Sequence, residues 1–286
     1  MTAAGHRGDL VVGIDPVRDG RLALAWATDE AHRRRLALRL VVVVPPLRET
    51  ELVDENPRHQ AQARAGREAL RTAADWARAR NADVRVSCEL LDGAPAAVVS
   101  GLAQEAGMVV LGSRHLSRTE EFLSGGSLAV PVTAQARCPV AVVGDAEHST
   151  QVPPYLVVGV DGSASSRSAL AFAFEEADLR RCELRAIAVW QPPVFSRWTG
   201  ATPLDAERRL LAETTAGWSE KYPGLRASHE VLVGSPVEVL AAAAEHALAV
   251  VVGRRGGGGY TGMRLGSVVH GLLHRAHCPV ITVPGP

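Results

Sequence analysis

The chain has 286 residues, 47% hydrophobic and 22% charged, with 31 Lys plus Arg against 31 Asp plus Glu. That length suits one large or two ordinary domains, and the apolar fraction is enough for packed cores, which excludes a disordered chain. A formal charge of zero argues against a protein that coats nucleic acid, because phosphate binding needs a surplus of cations.

In chain order, residues 1–9 hold no apolar signal core. The most apolar stretch, 36–44, is interrupted by Arg39 and closed by Pro45-Pro46, too short to span a bilayer. Cys88, Cys138, Cys182 and Cys278 form no CxxC pair, so neither a disulfide scaffold nor a zinc knuckle is expected. The expectation is a cytoplasmic protein with no membrane partner and no nucleic-acid partner.

The sequence then repeats itself. Leu10-Val11-Val12-Gly13-Ile14-Asp15 returns as Leu156-Val157-Val158-Gly159-Val160-Asp161, and Val109-Val110-Leu111-Gly112 returns as Val250-Val251-Val252-Gly253. Cys138-Pro139-Val140 returns as Cys278-Pro279-Val280. The repeat is domain-sized, which points to duplication and not to a solenoid. The expected domains are 1–144 and 155–286, joined by a polar linker over 145–154.

Within each half, short Val/Leu/Ile runs alternate with longer Ala/Glu/Arg segments. Continuous apolar runs suit strands buried on both faces, hence a parallel sheet. In the second half strands are expected at 155–161, 183–190, 226–233, 248–253 and 280–283. Helices are expected at 165–181, 204–221, 236–246 and 267–276. Five strands joined by helices make a doubly wound α/β unit.

Ligands of such sheets bind beyond the C-terminal strand ends. Two loops stand there: Asp161-Gly162-Ser163, and the run from Gly253 through Arg254-Arg255-Gly256-Gly257-Gly258-Gly259 to Gly266-Ser267. Glycines let backbone N–H groups approach phosphate oxygens, and a helix opening at Ser267 adds unpaired N–H groups. The competing reading is a plain flexible loop. Gly257-x-Gly259-x-x-Gly262 fits the dinucleotide fingerprint in letters, but it follows the fourth strand and no helix opens inside it. A Walker A loop is excluded because Lys221, the one lysine, lies elsewhere.

The pattern Gly253-x2-Gly256-x9-Gly266-Ser267 ahead of Cys278-Pro279-Val280, with the opening Val158-Gly159-Val160-Asp161-Gly162-Ser163, resembles the ATP-binding signature of the universal stress protein family. Two such units resemble its tandem members over nearly the whole chain. The resemblance implies sheets ordered 3-2-1-4-5 and an adenine nucleotide, ATP with Mg2+ or Mn2+, as cofactor. Asp161 would face the adenine and Val189 would line the adenine–ribose pocket. The backbones of Gly253 and Gly256 would hold ribose and phosphates, and Gly266, Ser267 and Val268 the distal phosphates. Gly162 and Gly258 complete the set, with Arg254 and Arg255 placed to neutralise phosphate charge. Val189 also reads as plain core, Asp161 as a helix N-cap, and the two arginines as solvated. The resemblance further implies an intrachain pseudo-dimer of the two halves, a homodimer, and a regulatory protein partner of unknown identity.

The first half departs from this pattern. His115 stands where Gly256 stands, Glu120-Glu121 enter the loop, and Pro16 replaces Gly162. A weaker or absent second site is therefore expected from Asp15, Val43, Gly112, Arg114, Gly126, Ser127 and Leu128. His270, His274 and His277 share one helix face but read as surface residues at a helix C-terminus, so no metal site is expected. The function expected is a nucleotide-responsive regulatory or stress-tolerance module with no dedicated catalytic residues. The alternatives are a slow ATPase or adenylyl-type enzyme, and a nucleotide-free dimeric scaffold.

Overall fold

The computed structural model describes residues 8–18, 20–46, 57–113, 128–144, 148–192, 202–257 and 264–286. It divides into two compact units, Met1–Asp145 and Ala146–Pro286.

The first unit runs β1 (Leu10–Gly13), α1 (Arg21–Arg34), β2 (Leu38–Val44), α2 (Pro57–Arg80), β3 (Val86–Asp92), α3 (Pro95–Leu102), β4 (Met108–Ser113), α4 (Ala129–Gln135) and β5 (Val140–Gly144). Its strands lie in the order β3-β2-β1-β4-β5, and all four pairings are parallel. The second unit runs β6 (Tyr155–Gly159), α5 (Ala164–Arg180), β7 (Glu183–Trp190), α6 (Thr202–Thr215), α7 (Trp218–Lys221), β8 (Ala227–Val233), α8 (Pro236–Ala243), β9 (Ala249–Gly253), α9 (Ser267–Arg275) and β10 (Val280–Val283). Its order is β8-β7-β6-β9-β10, again all parallel. Each unit is the expected five-stranded doubly wound layer in the order 3-2-1-4-5. Its topological switch point falls between the first and fourth strands.

The strands are apolar because helices cover both faces. Val157 and Val158 of β6, Val250 and Val251 of β9, and Ile281 of β10 are fully buried. Burial of each such side chain contributes about 1.5–3 kcal/mol. The edge strands β3 and β8 carry exposed positions instead, as expected where only one neighbour covers them.

Helices α1 and α5 share two devices. Each buries a glutamate completely, Glu30 and Glu176, and offsets the buried charge with an arginine four residues on, Arg34 and Arg180. Each also ends at an arginine in the left-handed conformation, Arg35 with φ 55° and Arg181 with φ 52°. The following N–H groups reach back, Leu36 to the Ala31 carbonyl at 2.9 Å and Cys182 to the Ala177 carbonyl at 3.0 Å. That is a Schellman closure with arginine where glycine is usual.

Two expected helices come out shorter. The span 204–221 is broken by Gly217, whose φ of 81° no helix continues; α7 then restarts so that Trp218 stacks on Phe174 of α5, with ring centroids 5.0 Å apart. The span 236–246 ends at Ala243, because the Ala247 N–H turns back to the Ala244 carbonyl at 3.0 Å to feed β9. Strand β6 stops at Gly159, two residues before its expected end, and so frees Asp161 for the site.

Candidate functional site

The site lies beyond the C-terminal ends of β6 and β9, where the direction of strand order reverses. Its first element is close packing. A β-carbon on Gly253 would sit 2.6 Å from the Ser165 carbonyl carbon and 2.7 Å from the Ser166 nitrogen. Only glycine lets the first turn of α5 rest on the end of β9 at that distance.

Asp161 supplies the second element. Its Oδ1 accepts the Ser163 N–H at 3.0 Å, and its Oδ2 accepts the Gly257 N–H at 2.9 Å. A β-carbon on Gly256 would lie 2.6 Å from that same Oδ2, so glycine at 256 is the condition for this approach. Desolvation would raise the Asp161 carboxyl, but hydrogen bonds from Ser163, Gly257 and Ser166 outweigh it and hold the pKa below its ordinary value. The alternative role of Asp161 as N-cap falls to Ser163, whose Oγ accepts the Ser166 N–H at 3.0 Å. Between them, Gly162 takes φ 75° with Leu210 close against it.

Serine hydroxyls brace the glycine loop, a role the sequence reading did not assign. Ser163 Oγ donates to the Arg255 carbonyl at 3.2 Å, and Ser165 Oγ donates to the Val283 carbonyl at 3.3 Å. The Arg254 N–H also reaches the Val283 carbonyl, at 2.8 Å. The Ser163-Ala164-Ser165-Ser166 run after Asp161-Gly162 was the available signal, since small hydroxyls concentrate where a strand hands over to a helix.

The far end of the loop returns to its start. The Gly266 N–H donates to the Arg254 carbonyl at 2.9 Å, and α9 opens immediately with Gly266 as its N-cap. No side chain among the described residues caps α9. The N–H groups of Ser267, Val268 and Val269 thus stand at the positive end of a helix without a helical partner. Burial, followed by the adjacent Arg255 guanidinium, lowers the pKa of Arg254, as expected where two cations crowd together.

The structure therefore brings Asp161 onto Gly256 and Gly257, Arg254 onto Gly266, Arg255 onto Ser163 and Gly253 onto Ser165. Gly162 lies between Asp161 and Ser163 against Leu210, and Ser267 and Val268 follow Gly266 in the chain. Val189 sits half-buried near the end of β7, paired with Leu232. Gly258 lies outside the described residues.

In the first unit the Asp15 Oδ1 accepts the Val17 N–H at 2.9 Å, the counterpart of the Ser163 contact. Its Oδ2 faces the Arg18 guanidinium at 3.4 Å. Val43 is half-buried in β2, and Gly112 pairs with Val143. Leu128 is the N-cap of α4, which starts at Ala129. Arg114, Gly126 and Ser127 lie outside the described residues, as do His115, Glu120 and Glu121. A cleft of about 630 Å3 opens in this unit between α1 and α2, lined by Asp15, Arg18, Arg21, Glu68 and Trp76 among others. It takes in Asp15 but neither Val43 nor Gly112.

Elsewhere, the rings of His270 and His274 lie 4.8 Å apart. Among the described residues no group of three His, Cys, Asp or Glu is placed to hold a metal ion, and no helix is long and apolar enough to cross a membrane. Cys138 and Cys278 are buried, which pushes each thiol up to about 12.

The universal stress protein family matches residues 7–144 and again residues 155–284. The chain is 34% identical to Universal stress protein Rv2623 of Mycobacterium tuberculosis strain H37Rv over 294 residues, covering 98% of both. It is 35% identical to Universal stress protein Rv2005c of the same organism over 296 residues, covering 98% of both. Among solved structures, a universal stress protein from Archaeoglobus fulgidus superposes with TM-score 0.73 at 18% identity, over 98% of this chain and 97% of that one. Matched twice and along almost its full length, the chain belongs to the universal stress protein family as a tandem-domain member.

Proposed function

We propose that the second unit binds ATP between Asp161 and the N-terminus of α9, and that the protein is a nucleotide-responsive regulatory module. The observation that carries the reading is the loop Gly253–Gly257. It is pinned by Asp161, Ser163 and Ser165 and leads into a helix whose first N–H groups have no side-chain cap among the described residues. Backbone donors, a helix dipole and two adjacent guanidiniums together favour a polyanion. A divalent cation, Mg2+ or Mn2+, would ride on the phosphates. The described part of the site offers N–H donors and guanidiniums to the phosphates, so the ion would be held by phosphate oxygens and water and not by protein side chains. Both oxygens of Asp161 accept backbone N–H groups, which favours binding over general-base chemistry. The same reading makes this a cytoplasmic homodimer whose nucleotide state is sensed by a protein partner.

The first test is to denature freshly purified protein and identify the released nucleotide by mass spectrometry, followed by calorimetric titration with ATP. The expected result is bound or titratable ATP that the Gly266→Glu variant no longer holds. Its carboxylate would enter the anion site, and even a β-carbon at 266 would lie 3.3 Å from the Arg254 carbonyl oxygen. No released nucleotide together with no heat of ATP binding would overturn the proposal, as would a Gly266→Glu variant that binds ATP like the wild type.

A further inference from the structure

Resting on the nucleotide reading above, we infer that Asp161 is a positioning residue for the phosphate loop, and that this role demands a carboxylate and excludes an amide. The geometry is a clamp. One oxygen takes the N–H of Ser163, two residues ahead, and the other takes the N–H of Gly257, 96 residues away. The first contact holds the carboxylate against the start of α5, which is capped by Ser163. The second draws in the glycine loop at the point where Gly256 has no β-carbon to obstruct it. Asp161 thereby sets where the loop's backbone stands relative to α9.

Both donors point at oxygen, and an aspartate presents oxygen to both. An asparagine of the same shape has one oxygen and one NH2 group, so one of the two N–H groups must face another donor. A group that only recognised the base would tolerate this change differently. Asparagine can turn its amide to keep one acceptor toward an adenine amine, but it cannot satisfy two N–H groups on opposite oxygens. In the first unit the counterpart of the glycine loop lies outside the described residues, and the local half of the arrangement is what can be compared. Asp15 keeps the local contact to Val17, and its other oxygen faces Arg18.

The test compares wild type with Asp161→Asn and Asp161→Ala in two measurements. The first is amide exchange at Gly257, followed by NMR without nucleotide. The second is calorimetric affinity for ATP and for adenosine, which lacks phosphates. The clamp predicts faster Gly257 exchange in both variants. It also predicts a loss of about tenfold or more in ATP affinity, the usual scale for a charge-assisted hydrogen bond, with adenosine affinity changed by less than about threefold. Unchanged Gly257 exchange would overturn the inference. So would equal losses for ATP and adenosine, which would make Asp161 a reader of the base. Wild-type protein that binds neither ligand would instead defeat the nucleotide reading, and the exchange measurement would still decide whether the clamp exists.

Discussion

A carboxylate held between two backbone N–H groups is anchored by its charge, and that has a consequence for acid stability. The Asp161 pKa is held below its ordinary value of 3.8, so as pH falls the unfolded chain takes up the proton before the folded one does. Its contribution to stability is complete above the unfolded value and is lost as pH drops through the folded one. The Asp161→Asn variant lacks the ionised group at every pH. The gap in thermal midpoint between wild type and variant should therefore persist from neutral pH to about pH 4 and close in stronger acid. A gap that closed well above that value would mean the carboxylate is not held in this way. Gly162 teaches a related lesson. Its φ of 75° is closed to proline, so Pro16 obliges the first unit to leave its opening strand by a different turn.

Among the elements, α1 and α5 show where the fold carries removable strain. Arg181 is exposed and sits at φ 52°, a conformation that opposes any β-carbon. Arg181→Gly should relieve that strain, offset in part by glycine's larger freedom in the unfolded chain. The expected net effect is a stabilisation of roughly 0.5–1 kcal/mol in urea unfolding. A loss of stability would show that the Arg181 side chain makes a contact worth more than the strain. The break at Gly217 illustrates the opposite balance. Helical residues run through 204–221 in the sequence, yet a left-handed glycine and the stacking of Trp218 and Tyr222 on Phe174 redirect the last turn.

For the molecule as a whole, two units of one fold carry unequal binding equipment. ATP at saturation should slow amide exchange in the second unit, at 161–166, 254–257 and 266–269, and leave the first unit unchanged. Calorimetry should accordingly give about one nucleotide per chain, since a single unit retains the glycine spacing that lets backbone N–H groups reach phosphate. Protection in both units, with two nucleotides per chain, would show that the first unit binds despite Pro16 and His115. The duplication itself and the parallel α/β layer were legible from the sequence, whereas the strand order came only through the family resemblance. Buried strands need uninterrupted apolar runs, and a repeated run betrays a repeated domain. The loops at the strand ends were legible too, because glycine and a helix start leave marks in the chain. What the sequence could not express was which partner Asp161 would choose. Every residue but proline offers the same backbone N–H, so no spacing reveals that a carboxylate meets the one at Gly257. Only the approach of β9 to β6, with α5 resting on Gly253, decided it.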